Sequence, residues 1–145
     1  LEHDDPAGRY LAATNLGRIG GESLAQSVVI LKKLVSHGQH PPNDTPNSGR
    51  ETHPQPHAVR LAAAYALCEF GLSDQYLKIL TDAVSFPDRG TACSAADLIG
   101  RIGPEAAAAK ATLEVAYEKN KPGVKGGDYH VGGAAMNALR KIRNP

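Results

Sequence analysis

Apolar residues return at helical spacing along most of the chain, and they return in the same slots. Arg9 to Gly20 (RYLAATNLGRIG), Arg60 to Gly71 (RLAAAYALCEFG) and Ala92 to Gly103 (ACSAADLIGRIG) align without gaps. Gly132 to Arg143 (GGAAMNALRKIR) follows the same pattern. From residue 9 to 60, 60 to 92 and 92 to 132 the offsets are 51, 32 and 40 residues. Small residues share one slot (Ala12, Ala63, Ala95, Ala135), and larger apolar residues share two more (Leu16, Leu67, Ile99, Leu139; Ile19, Phe70, Ile102, Ile142). A small residue one turn before a large aliphatic lies on the same face of a helix. Alanine there admits a neighbouring helix closely, and the aliphatic fills the groove beside it. Gly20, Gly71 and Gly103 fall just past the last apolar slot, where a helix end calls for a left-handed residue.

A second one-sided segment follows each of the first three helices. Its stripes are Leu24, Val28, Leu31 and Val35; Leu72, Tyr76, Leu80 and Val84; and Ala106, Ala109, Leu113 and Tyr117. Each obeys the spacing of an amphipathic helix. Pro104 suits a first helical turn, and Ser73 and Asp88 suit N-caps. Asp128 is a further N-cap candidate, ahead of the last helix. The expected architecture is all-α: about seven helices, as three pairs and a closing helix near Asp128 to Arg143. The units run about 4–36, 57–86, 88–120 and 128–143. Such hairpins cannot bury their faces alone and must stack.

These segments resemble the HEAT repeat family, in particular its short bacterial form, over nearly the whole chain. The resemblance implies a right-handed α-solenoid whose second helices line the inner curve. The family's first-helix arginine has counterparts at Arg9 and Arg60, whereas Ala92 and Gly132 stand in that slot in the later units. Any polar ladder between repeats is therefore incomplete. More narrowly, the order DDPAGRYLAA, VRLAAAYALCEFG, AADLIGRIGPEA, YHVGGAAMNALRKI resembles the helical-repeat tail after the catalytic domain of some bacterial sulfatases. That parentage implies an accessory domain, outside the cytoplasm where the parent is secreted. A sulfatase centre needs Cys or Ser in a C/S-x-P-x-R context. Neither Cys68 (CEFGL) nor Cys93 (CSAAD) has it. Short HEAT-like repeats also resemble bilin-type lyases, but few aromatics and no convergent polar cluster oppose that reading.

Composition narrows the function. Of 145 residues, 22 are alanine and none is tryptophan, which favours closely packed helices and offers little aromatic surface for stacking bases or sugars. The formal charge is +1, from 16 basic and 15 acidic residues, so nothing draws the chain to nucleic acid or anionic lipid. No apolar run approaches the roughly 20 residues of a membrane span. The chain opens at Leu1 rather than Met and is read as a piece of a longer protein. The expected function is non-catalytic, a structural or interaction module without a cofactor, with a protein partner or an upstream domain of the same chain. Mixed charges on the second helices (Glu22, Gln26, Lys32, Lys33, Asp74, Lys78, Asp82, Lys110, Glu114, Glu118) suit protein contact better than DNA wrapping.

One stretch breaks the rhythm. Residues 37–57 (HGQHPPNDTPNSGRETHPQPH) hold five of ten prolines, four of six histidines and no aliphatic or aromatic residue. The prolines predict a solvated loop, which accounts for the long first offset. His37, His40, His53 and His57, with Asp44 and Glu51 between, are the candidate metal ligands. A metal site also needs a rigid supporting shell, which such a loop supplies only by packing on the helices. The first reading is a hydrophilic loop, and a recognition loop is a third. Asp4, Asp5 and Pro6 read as a helix start. GVKGGDYH at 123–130 lacks the P-loop pattern and reads as a loop into the last helix. Cys68 and Cys93 have no paired spacing and are expected to be small buried apolar residues.

Overall fold

The computed structural model describes residues 12, 15, 24–37 and 56–143; the side chains of 24–26, 37 and 56 are not among them. Every described element is a helix or a turn, and no strand occurs among them. The first expected helix lies outside the described residues except at Ala12 and Asn15, both helical. Asp4, Asp5, Pro6, Arg9, Leu16, Ile19, Gly20 and Glu22 lie outside them, as do the side chains of Leu24 and Gln26. No described helix is long and apolar enough to cross a membrane.

Helix α1 (Leu24–His37) buries Ser27, Leu31 and Val35 at four-residue intervals and turns Lys32, Lys33 and Ser36 to solvent. That stripe packs on α2 (Pro56–Leu67). Helix α2 is buried nearly all round: Val59 and every residue from Leu61 to Leu67 are buried. It touches α1, α3 (Ser73–Ala83) and α4 (Arg89–Ile102). Alanines at 62, 63, 64 and 66 make room for three neighbours. The expected loop 37–57 is shorter at both ends, because His37 closes α1 and Pro56 and His57 open α2. Proline blocks a helix interior but suits its first turn, where its missing N–H would have no partner.

A π-helical turn, Cys68–Leu72, joins α2 to α3. Gly71 reverses the chain there at φ 81°, ψ 14°, the left-handed conformation expected of a helix-ending glycine. Ser73 does not cap α3. The residue before the helix is Leu72, and the Ser73 hydroxyl donates to the Cys68 carbonyl (3.5 Å). After the kink at Gly71 the chain re-enters helix at Ser73 itself, and Leu72 in the cap position has no side-chain acceptor. Leu77, Leu80, Ala83 and Val84 form the buried stripe of α3. Asp88 caps α4 as expected, its carboxylate accepting from the Thr91 amide (2.7 Å). Ala92, Ala95, Ala96, Ile99 and Gly100 face inward. Cys68 is fully buried, but Cys93 is only half-buried, because it sits one residue off the Ala92–Ala96 face. Gly103 also has positive φ. The segment after it, expected as one helix from Pro104, opens instead as a 3-10 stretch, Gly103–Ala109. Ala106 is non-helical there (φ −87°, ψ 19°), and the α-helix proper, α5, spans Lys110–Asn120.

Helix α6 (Tyr129–Arg143) packs on both α4 and α5. Its N-terminus presses on the end of α5. A Cβ at Gly132 would lie 2.4 Å from the Asn120 carbonyl oxygen, which explains glycine in the slot that holds arginine at Arg60. Asn120 ties the connection by donating to the Ala116 carbonyl (2.8 Å) and accepting from the Asp128 amide (2.8 Å). The first helices thus touch in chain order, α2 on α4 and α4 on α6. Their shared slots form the middle of the core: Ala63, Ala95, Ala135, Leu67 and Ile99 are buried to within 1% of full, and Leu139 nearly so. Phe70 and Ile102 are half-buried and Ile142 is buried.

Candidate functional site

The second helices carry charge that is locally compensated. Lys78 donates to both oxygens of Asp82 (2.8 and 2.7 Å) one turn along α3. Lys121 pairs with Glu118, and Arg143 reaches Glu114 across to α5 (3.1 Å). Pairs this exposed contribute about 0.2–1 kcal/mol each, so they set surface character rather than stability. Between α3 and the 3-10 stretch runs an open groove lined by Ser73, Leu77, Thr81, Glu105 and Ala108. Farther along, Val115 stands half-exposed beside Ala111 and Lys119. Lys32, Lys33, Asp74 and Lys110 are exposed as well, and Glu114 is half-buried. The expected mixed-sign polar face is therefore present on α3 and α5, while the described charges of α1 are Lys32 and Lys33.

At the other end of these helices a second cluster gathers. The loop 84–88 brings Phe86 against the ring of His57 (centroids 5.1 Å apart). Beside them lies a cleft of about 120 Å³ lined by His57, Arg60, Ile79, Asp82, Phe86 and Thr91, among others. Nearby, Arg89 of α4 donates from Nε to Asp128, which also accepts from the His130 amide (3.0 Å). This link joins the starts of α4 and α6.

Of the expected metal ligands, His37 ends α1 and His57 lies in the first turn of α2. His40, His53, Asp44 and Glu51 lie outside the described residues. Among those described, no three His, Cys, Asp or Glu side chains come together as a metal set.

Burial pushes the Cys68 thiol up to about 11, and burial likewise raises Cys93. Both thiols stay protonated at neutral pH and are poor nucleophiles. Burial raises the Tyr65 phenol, helped by Glu69 and opposed by Arg101. Arg101 lies over the Tyr65 ring, 4.7 Å from its centroid, a cation–π contact between α4 and α2. The Thr91 amide holds Asp88 below the usual carboxylate range, and Arg89 does the same for Asp128.

The sequence singled out His57, Asp82 and the Arg60 slot separately. It gave no sign that loop 84–88 would bring them to one cleft. The Tyr65–Arg101 contact was equally hidden, since nothing in the spacing pairs those positions. No known family model, curated protein or solved structure matches the chain.

Proposed function

We propose that this chain is a non-catalytic interaction or structural module, built as a right-handed HEAT-like α-solenoid of about seven helices. The observation that carries the reading is the coincidence of slot and burial. Ala63, Ala95 and Ala135 occupy one repeat position and are fully buried. The helices that bear them touch in chain order. Stacked hairpins of this kind contact mainly their neighbours and expose an extended surface. Here that surface is the second-helix face, with its paired charges, open groove and half-exposed Val115. Such a face suits a protein partner or an upstream domain of the same chain. Two thiols whose ionisation is suppressed by burial fit this reading better than nucleophilic catalysis.

The same role could be played within a larger sulfatase-type hydrolase, as an accessory domain whose active site lies upstream. The test takes the isolated 145-residue chain through aryl-sulfate hydrolysis and bilin transfer. Turnover above background in either assay would overturn the non-catalytic reading. Absence of turnover, together with saturable binding of the adjoining domain when that domain is supplied separately, supports it.

A further inference from the structure

We infer that the open groove between α5 and α6 docks an acidic amphipathic helix of a protein partner, apolar on the face it buries and bringing a carboxylate to Arg140. This rests on the interaction-module reading and names the partner segment.

The molecule fills a corresponding groove itself. Helices α4 and α6 share repeat slots, and the apolar stripes that run through α3 and α5 match in spacing. The stretch Gly103–Ala109 lies against both α3 and α4, and its Ala106 and Ala109 are fully buried. Between α5 and α6 there is instead a groove of about 390 Å³, and every described residue lining it belongs to one of those two helices. Buried Leu139 and half-buried Tyr117 and Met136 give it an apolar floor. Where α4 has Ala96 and Gly100, both buried, α6 has half-buried Met136 and exposed Arg140. Among the described residues, nothing lies on α5 and α6 as Gly103–Ala109 lies on α3 and α4.

The walls suit a helix. Met136, Arg140 and Arg143 recur along α6 at helical spacing, and Glu114, Tyr117 and Glu118 do so along α5. Met136 to Arg143 covers about 10 Å at 1.5 Å per residue, roughly two helical turns. An amphipathic helix laid in such a groove is held by side chains at i, i+3, i+4 and i+7. Methionine adapts its shape to the side chain it meets. Charge selects the partner. The Glu114 carboxylate accepts from Arg143 (3.1 Å) and that of Glu118 from Lys121, so both carboxylates at the groove are matched. Arg140 has no acceptor among the described residues. The unmatched charge at the groove is therefore positive, and its planar fork fits a carboxylate.

The experiment titrates the full ¹⁵N-labelled chain with the helical peptide acetyl-AEALAEALAALAEA-amide and with its lysine counterpart acetyl-AKALAKALAALAKA-amide. Saturable shifts of the Tyr117, Met136 and Arg140 amides are expected with the acidic peptide. The lysine peptide should bind at least about tenfold more weakly, equivalent to about 1.4 kcal/mol. Arg140→Glu, at an exposed position that the fold does not need, should reverse that preference. No saturable shift of those amides with the acidic peptide, equal binding of the two peptides, or an unchanged preference in Arg140→Glu overturns the inference. Concentration-dependent shifts of the same amides in the chain alone assign the groove to a second copy and overturn it too. Turnover by the isolated chain, not failure of peptide binding, is what sinks the module reading.

Discussion

Helices α2 and α6 hold the same repeat slots and live in different surroundings. At the shared slots they agree: Ala63 and Ala135 are both buried, as are Leu67 and Leu139. Between those slots they diverge. Where α2 and the residue just after it have Leu61, Ala64, Tyr65 and Cys68, all buried, α6 has Gly133, Met136, Asn137 and Arg140, of which only Met136 is even half-buried. Helix α2 is gripped by α1 on one side and α4 on the other, whereas α6 rests on α4 and α5 and shows its far side to solvent. The shared slots therefore encode the contact that the first helices among the described residues make, α2, α4 and α6. The unshared positions follow what else each helix meets: neighbours around α2, and solvent on the far side of α6.

That contrast can be broken most forcefully by exchanging residues at one register. Cys68→Arg should cost about 3–5 kcal/mol, the scale for an uncompensated buried charge. Arg140→Cys at the matching position should stay within about 0.5 kcal/mol. Urea unfolding of both variants reads the difference, and comparable losses would erase the distinction between the two surroundings. Next in size, Ala63→Leu and Ala95→Leu should overpack the α2–α4 contact and cost about 1–3 kcal/mol each. Either variant with unchanged stability would mean that face is wrongly assigned.

These substitutions target positions that were visible in the sequence because alanine at a repeated, helix-phased slot has one physical explanation. Other features were not visible. Pro56 read as a loop residue because proline breaks a helix interior and opens a helix equally well, and spacing alone does not separate the two. Ser73 read as a cap because its type suits one. After the kink at Gly71 the helix resumes one residue earlier than a Ser73 cap requires, which no composition signal announces. The 3-10 opening at Gly103–Ala109 lay inside an alanine run whose propensity points uniformly to α-helix. The cleft at Arg60 needed the path of loop 84–88, a tertiary fact.

Smaller effects sharpen the comparison at the helix starts. Asp88 and Asp128 both cap first helices and are both held below the usual aspartate value. A depressed folded pKa adds stability in full above the unfolded value of about 3.9 and loses it as pH falls below that. The midpoint of thermal unfolding should therefore drop below about pH 4, and Asp88→Ala should flatten that drop. At neutral pH the same substitution should cost about 1 kcal/mol, the usual loss of an N-cap. An unflattened acid limb would mean that the Asp88 carboxylate contributes nothing through its cap. Smallest in stability is the thiol contrast. At pH 8 a disulfide reagent should label half-buried Cys93 well before Cys68, whose thiol needs about pH 11 to ionise and is fully buried. Equal rates would contradict the burial of Cys68.

The alanine contacts between α2, α4 and α6 have a mechanical consequence. Alanine has no side-chain rotamers to rearrange, so a displaced helix cannot be accommodated by repacking flexible groups at the seam. A load applied at one end of the row is passed along as bending of whole helices.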